Sequence, residues 1–154
     1  MITYRDAART DLPAVDALFR RSFADTFGHL YAPADLAAFF DQFTPAAWAD
    51  EFARLRFRLA ERDGRLLGFA KLGPVELPVA PAGPARELWQ LYLADEAKGA
   101  GVADALLGWA IETARGEGGR AVPVRLRRQP PRQALLRPPR LRGCRALHVQ
   151  GGGA

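Results

Sequence analysis

The chain has 154 residues and a hydrophobic share of 49%, values typical of one globular domain with a buried core. No apolar run approaches the roughly 18–20 residues of a membrane span, and the charged first residues lack the apolar core of an export signal. The single cysteine excludes an internal disulfide, and with only two histidines we expect no Cys/His metal site. These features predict a cytoplasmic protein without a membrane partner.

The formal net charge of +5 averages over two unlike parts of the chain. All 17 acidic residues lie at or before Glu117, and the 13 lysines and arginines of residues 1–119 leave that part with a net charge of −4. From residue 120 onward there are nine arginines and five of the 12 prolines, but no acid and no Phe, Tyr or Trp. This break divides the chain into a core of residues 1–121 and an Arg/Pro/Gly-rich tail of residues 122–154.

Apolar spacing in the first 55 residues predicts one strand and three helices. The strand lies at residues 2–5. A helix follows and ends at Gly28, with Pro13 in its first turn, where proline is tolerated. Apolar residues at helical spacing predict two further helices, over residues 33–43 and 45–55.

The rest of the core predicts strands and one last helix. In chain order, these are a strand at 57–62, a hairpin turn at Asp63-Gly64, a strand at 66–70, a strong strand at 87–93, a glycine-bearing turn at 98–103 and a helix to about residue 115. A further strand from Ala121 is weakened by Pro123. This order describes a mixed α/β domain.

The turn at residues 98–103 has the chemistry of an anion site. Gly99 and Gly101 precede a helix whose first N–H groups lack partners and whose dipole is positive there. Lys98 adds a cation, so the turn suits a pyrophosphate. The alternative is that the two glycines only permit a tight turn. Asp104 stands where G-x-G-x-x-G requires its third glycine, and the phosphate-binding pattern G-x-x-x-x-G-K-[ST] is also absent.

With its flanking strand and helix, this turn resembles the loop of the GNAT superfamily of N-acetyltransferases. The family pattern Q/R-x-x-G-x-G/A becomes Lys98-x-x-Gly101-x-Ala103, after an aliphatic–aromatic–aliphatic run at residues 91–93. The resemblance spans about residues 2–121. It implies a mixed α/β (α+β) fold whose central, mostly antiparallel, twisted sheet is flanked by helices, here with an incomplete or irregular C-terminal part.

The resemblance further implies acetyl-CoA as cosubstrate, with no metal. The strand should part from its neighbour and present backbone groups to the pantetheine arm, while the turn holds the pyrophosphate. The implied cofactor-binding residues are Leu91, Tyr92, Leu93, Lys98, Gly99, Ala100, Gly101, Val102 and Ala103. A primary amine of a small molecule or peptide would attack the thioester, which requires a base or water chain and a proton donor for the thiolate. Dimers are common among such enzymes, so a homodimer stays open.

Two residues of the same strand are the catalytic candidates. Glu87 begins the strand and is the candidate base, with a solvated strand-start carboxylate as the alternative. Tyr92 is expected on the face of Leu88 and Gln90, as a wall of the acceptor site, a core residue or the catalytic acid.

The tail departs from the family pattern. The later motif N-x-x-A-x-x-F-Y-x-x-x-G-F is absent, and its tyrosine, the usual thiolate-side acid, has no counterpart after Tyr92. Lys98 also replaces the usual Arg or Gln, and Ala100 a frequent second Arg. We therefore expect the activity of this chain to be impaired.

The composition break predicts a reading-frame shift near residues 120–124. Codons for the tail, read one base later, can encode the missing Asn, Ala, Phe-Tyr and Gly-Phe at the family's spacing. The tail as written should be poorly ordered or irregularly packed, because it has little apolar surface to bury. The alternative is a natural tail on a non-catalytic acyl-CoA-binding or RNA-associated protein. A nucleic-acid partner is not expected, since the tail lacks stacking aromatics and its prolines interrupt a basic helix.

Overall fold

The computed structural model describes residues 1–76, 85–118, 124–127 and 144–146. Its helices and strands, in chain order, are β1 (Thr3–Asp6), α1 (Leu12–Phe27), α2 (Pro33–Phe40), α3 (Pro45–Arg54), β2 (Arg56–Arg62), β3 (Arg65–Pro74), β4 (Arg86–Leu93), α4 (Val102–Gly118), β5 (Val124–Arg127) and β6 (Cys144–Ala146). No helix in the described ranges has the length and apolar character to cross a membrane.

The described strands form one twisted sheet in the order β1-β2-β3-β4-β5-β6. Neighbouring strands are antiparallel except β4 and β5, which are parallel. The predicted hairpin joins β2 to β3 through Asp63 and Gly64, whose φ angles of 52° and 74° are both positive. Such angles suit the right-handed twist of a two-residue hairpin. The mixed α/β fold with a mostly antiparallel sheet is confirmed.

The two faces of the sheet carry separate apolar cores. The first, here called the aromatic face, is covered by α1, α2 and α3 and includes Phe19, Trp48, Phe57, Phe69 and Trp89. The second, here called the α4 face, packs against α4 and includes Ala70, Leu72, Leu88, Val102 and Leu106. Helices therefore cover both faces of the sheet and bury these two cores.

A β-bulge in β4 changes which side chains share a face. Lys71 of β3 pairs with Gln90 and the next residue, Leu72, pairs with Leu88, so Trp89 is an extra residue in β4. An extra residue shifts the alternation of side chains by one position. Tyr92 therefore packs on the aromatic face while Leu88 packs on the α4 face. The expectation that Tyr92 shares a face with Leu88 is wrong for this reason.

Two short strands of the tail belong to the sheet. β5 follows the position of the weak strand expected from Ala121, and β6, which has no counterpart among the predicted elements, pairs with β5. The expectation of poor order in the rest of the tail falls outside the described residues. At β5 and β6 themselves the backbone is regular strand.

Candidate functional site

The turn before α4 has a backbone conformation that favours glycine. Gly99 and Gly101 both have a φ of 78°, in the left-handed region that other residues adopt only with strain. A Cβ atom built on either glycine would meet nothing within 4 Å. The space beside both residues is therefore open, and a ligand can approach the backbone closely.

Several N–H groups of this turn have no backbone acceptor within the described ranges. They belong to Gly99, Gly101, Val102 and Ala103. Lys98 and Ala100 differ, because their N–H groups donate to the carbonyls of Asp95 and Ala97 at 3.2 Å each. Free N–H groups at the positive end of a helix dipole make a site for an anion such as a phosphate.

The cation of Lys98 lies at the rim of the turn. Its Nζ is 2.6 Å from Oδ1 of Asp95, and both side chains are exposed. The hydrogen bond from Lys98 holds the pKa of the Asp95 carboxyl below its ordinary value. The positive charge is thus partly compensated, but an exposed pair separates at little cost when an anion competes for the ammonium.

Close packing fixes the turn against the end of β4. Val102, the first residue of α4, is fully buried. A Cβ on Gly68 of β3 would lie 2.7 Å from Leu93 Cδ2, 3.1 Å from the carbonyl oxygen of Tyr92 and 3.3 Å from Val102 Cγ1. A larger residue at position 68 would force these groups apart. The lack of a side chain there brings the end of β4 and the start of α4 together.

The described pairing of β4 with β5 ends at Leu88. Arg86, Glu87 and Leu88 pair with β5, but Trp89 does not, although β5 extends one residue further, to Arg127. The bulge at Trp89 explains the separation, since a bulge bends its strand and increases the local twist. In the same parallel register residues 91–93 would lie opposite residues 129–131, which fall outside the described residues. The opening of the strand that the resemblance implies lies outside them too.

Glu87 lies inside the protein rather than in solvent. Its side chain is 0% exposed, and its Oε2 accepts a hydrogen bond of 2.9 Å from the N–H of Glu76. Its Cα partner in β3 is Gly73, which places Glu87 on the aromatic face. The alternative of a solvated carboxylate at the strand start is wrong, because the side chain is buried and its carboxylate accepts a hydrogen bond from Glu76, just after β3.

Tyr92 is half-buried at the edge of the aromatic core. Its ring centre is 5.1 Å from that of Phe19 in α1 and 5.8 Å from that of Phe69 in β3. Next to it, the carbonyl of Leu93 accepts a hydrogen bond of 3.1 Å from the hydroxyl of Ser22. Helix α1 therefore holds the end of β4 through both an aromatic contact and a polar one.

A buried charged pair on the aromatic face has no counterpart in the predicted site. Lys71 of β3 is 1% exposed, forms an ion pair with Glu51 of α3, and has its Nζ 4.6 Å from the ring centre of Trp48. Trp48 Nε1 in turn donates a hydrogen bond of 2.8 Å to Asp16 of α1. The sequence could have indicated this pair through Lys71 itself, because a lysine stands there within the apolar run of residues 66–72.

Gln90 is the direct cross-strand neighbour of Lys71, and it too is not among the candidate site residues predicted from the sequence. Its Oε1 is buried and has no hydrogen-bond partner among the described residues. The same ranges contain no cluster of three or more His, Cys, Asp or Glu side chains that could hold a metal ion.

The fold and the site are those of a mixed α/β protein with a glycine-bearing turn and unpaired N–H groups between a central strand and the helix that follows it. Residues 13–136 match the model of the acetyltransferase (GNAT) family, and the chain belongs to this family. It is an acetyl-CoA-dependent acyltransferase. A comparison with curated proteins finds no significant match.

Solved structures of acetyltransferases share the fold. The PaiA N-acetyltransferase of Thermoplasma acidophilum, in complex with coenzyme A, has a TM-score of 0.68 at 22% identity, over 82% of this chain and 78% of its own. A histone acetyltransferase HPA2-related protein of Corynebacterium glutamicum has a TM-score of 0.62 at 21% identity, over 88% and 81%. The ribosomal-protein-alanine N-acetyltransferase of Brucella melitensis has a TM-score of 0.53 at 25% identity, over 80% and 72%.

Proposed function

We propose that the protein transfers the acetyl group of acetyl-CoA to a primary amine of a small molecule or peptide. The observation that carries the proposal is the row of free N–H groups in the turn directly after β4, the strand whose described pairing with β5 ends at the Trp89 bulge. The pyrophosphate binds the N–H groups of Gly99, Gly101, Val102 and Ala103, with Lys98 and Ala100 at the rim. The pantetheine arm lies along Leu91, Tyr92 and Leu93.

The chemistry follows from this placement. The amine nitrogen attacks the thioester carbon, a C–N bond forms, the C–S bond breaks and coenzyme A leaves as a thiolate. One proton must leave the nitrogen and one must reach the sulfur. Glu87 takes the first through a relay of water, because its carboxylate is buried. Tyr92 forms a wall of the acceptor site, and its hydroxyl is the candidate donor to the sulfur.

The location of the protein and a rival function are also proposed. A cytoplasmic location is proposed because acetyl-CoA is the cosubstrate and the chain has one cysteine. The rival is a non-catalytic acyl-CoA-binding or RNA-associated protein, favoured by the nine arginines after residue 119. Salt-dependent RNA binding without acetyl transfer would support the rival.

The test combines binding and turnover. Calorimetry should detect acetyl-CoA binding, and Gly101→Val should weaken it at least tenfold, because valine strains the left-handed turn that positions the N–H groups. Gly108→Val is the matched control, since Gly108 lies within α4 with no neighbour within 4 Å of a built Cβ. Mass spectrometry should detect acetylation in a panel of spermidine, kanamycin, L-lysine and a peptide with a free N-terminal alanine. An unchanged dissociation constant for Gly101→Val would contradict the placement.

A further inference from the structure

Gln90 has an unusual environment for a residue at the centre of a sheet. It follows the bulge residue Trp89, and its Oε1 is buried without a hydrogen-bond donor among the described residues. Buried polar atoms are nearly always hydrogen-bonded, and leaving one unpaired is unfavourable. Such an atom calls for a donor that the described residues do not supply, such as an N–H group of a bound substrate.

The nearest cation is already engaged. Lys71 lies directly across from Gln90 on β3, and paired residues of neighbouring strands point to the same face. Its ammonium is held by Glu51 and by the ring of Trp48. The ion pair has no net charge, so the region around Gln90 gives no preference for an anionic group. The group available to a ligand here is therefore a neutral hydrogen-bond acceptor, Oε1 of Gln90.

The position of Gln90 along β4 relates it to the reacting atoms of the proposed function, on which this inference rests. The phosphates lie at the turn after β4, and the pantetheine arm runs back along residues 93 to 91. The strand rise of about 3.3 Å per residue puts Gln90 about 10 Å from Leu93. The thioester end of the arm is thereby directed to the bulge, between Gln90 and the proposed base Glu87.

We propose that Gln90 binds the acetyl acceptor, its Oε1 accepting a hydrogen bond from the nitrogen that attacks the thioester. A primary amine has two N–H bonds. One proton is removed during the transfer, and the other hydrogen remains bonded to Gln90 throughout. A secondary amine has one N–H bond, so it loses this contact when it loses its proton. Gln90 therefore makes the enzyme selective for primary over secondary amines.

The test compares matched amines in the unaltered chain and in Gln90→Met. The probes are the alanine peptide with its N-methylalanine counterpart, and spermidine, whose primary and secondary positions are distinguished by mass spectrometry. In Gln90→Met the KM for the primary amine should rise about tenfold, the worth of one hydrogen bond, and the preference over the secondary amine should fall by a similar factor. The dissociation constant of acetyl-CoA should not change. Gln42→Met, outside the sheet, is the control.

Thermal stability provides a readout that separates this role from a structural one. Replacing an unpaired buried oxygen by an apolar group of similar shape should leave the melting temperature unchanged or raise it. A lower melting temperature with weaker acetyl-CoA binding would show that Gln90 is structural and would overturn the inference. If Gln90→Met does not fold, Gln90→Glu decides, because it keeps an oxygen acceptor and should keep the preference for primary amines.

Failure of this inference is distinguishable from failure of the proposed function. Acetylation of the primary amines with an unchanged KM and selectivity in Gln90→Met would overturn the role of Gln90 alone. Absence of acetyl-CoA binding, or of transfer to every amine of the panel, would overturn the proposed function and this inference together.

Discussion

At the scale of single residues, the proposed reaction depends on the group that accepts the proton of the amine, Glu87. Glu87 is buried, held by the N–H of Glu76 and located on the same face as Tyr92. A buried carboxylate with a fixed orientation can accept a proton without reorganising, which is what general base catalysis needs. Its burial also means that water must connect it to the amine.

Glu87→Gln should lower kcat about 10²–10⁴-fold, the usual effect of losing a general base. Glutamine keeps the shape of the side chain and an oxygen that accepts the hydrogen bond from Glu76. The dissociation constant of acetyl-CoA and the melting temperature should therefore change little. Single-turnover acetylation of the alanine peptide measures the effect. In the same assay, Tyr92→Phe shows whether Tyr92 donates a proton to the sulfur or only forms a wall of the acceptor site, because phenylalanine keeps the ring and removes the hydroxyl. A kcat for Glu87→Gln equal to that of the unaltered chain would exclude Glu87 as the base.

At the scale of elements, one arginine connects β1, the start of α1 and β2. The guanidinium of Arg5 donates to both carboxylate oxygens of Asp11 at 2.7 and 2.8 Å, and to Glu61 at 2.6 Å. The N–H of Ala8 also donates to Asp11, at 2.7 Å. These contacts fix the angle at which the chain leaves the first strand and enters the helix that holds the end of β4.

The charge of Asp11 predicts a pH dependence of stability. The hydrogen bond from Arg5 lowers the pKa of Asp11 below its ordinary value of 3.8. A carboxyl whose folded pKa is lowered stabilises the protein above about pH 4, and this contribution is lost as pH falls through the folded pKa. Asp11→Asn should therefore reduce the free energy of unfolding by about 1 kcal/mol at pH 7, a modest value because Arg5 is 42% exposed.

Urea unfolding at a series of pH values measures this effect. The difference between the unaltered chain and Asp11→Asn should shrink below pH 4 and vanish near pH 2. Asp25→Asn is the control, because Asp25 is an exposed residue of α1, the helix that follows Asp11, and has no ion pair in the described ranges. A difference that stays constant across the pH series would mean that the side chain of Asp11 acts through packing and not through its charge.

The elements also show what sequence patterns can predict and where they fail. Helical spacing predicted α1 because its five buried residues follow one stripe, and the Asp63-Gly64 pair predicted the hairpin by its turn chemistry. The bulge at Trp89 was not predictable, because an alternating pattern carries no sign of one extra residue. The roles of Lys71 and Gln90 were missed for a related reason, since both depend on cross-strand neighbours that only the register brings together.

At the scale of the whole molecule, the acidic and aromatic residues are confined to residues 1–121 and are absent from the tail. All fifteen Phe, Tyr and Trp residues precede residue 110, and the aromatic face of the sheet uses most of them. The tail contributes two strands to the sheet, and the family match extends to residue 136. The tail lacks the tyrosine and the Asn…Phe-Tyr…Gly-Phe series that the resemblance implies, so its strands join the sheet without those residues.

A tail with these properties predicts both low activity and an altered reading frame. Loss of the usual thiolate-side acid should keep turnover of the pure 154-residue chain well below the usual range of about 1–10³ per second. Sequencing the DNA through codons 118–154 tests the cause. Read one base later from about codon 124, it should encode Asn, Ala, Phe-Tyr and Gly-Phe at the spacing of the motif. An early stop codon in that frame, or absence of the series, would exclude the frame shift, and a turnover number within the usual range would show that the tail as written supports catalysis.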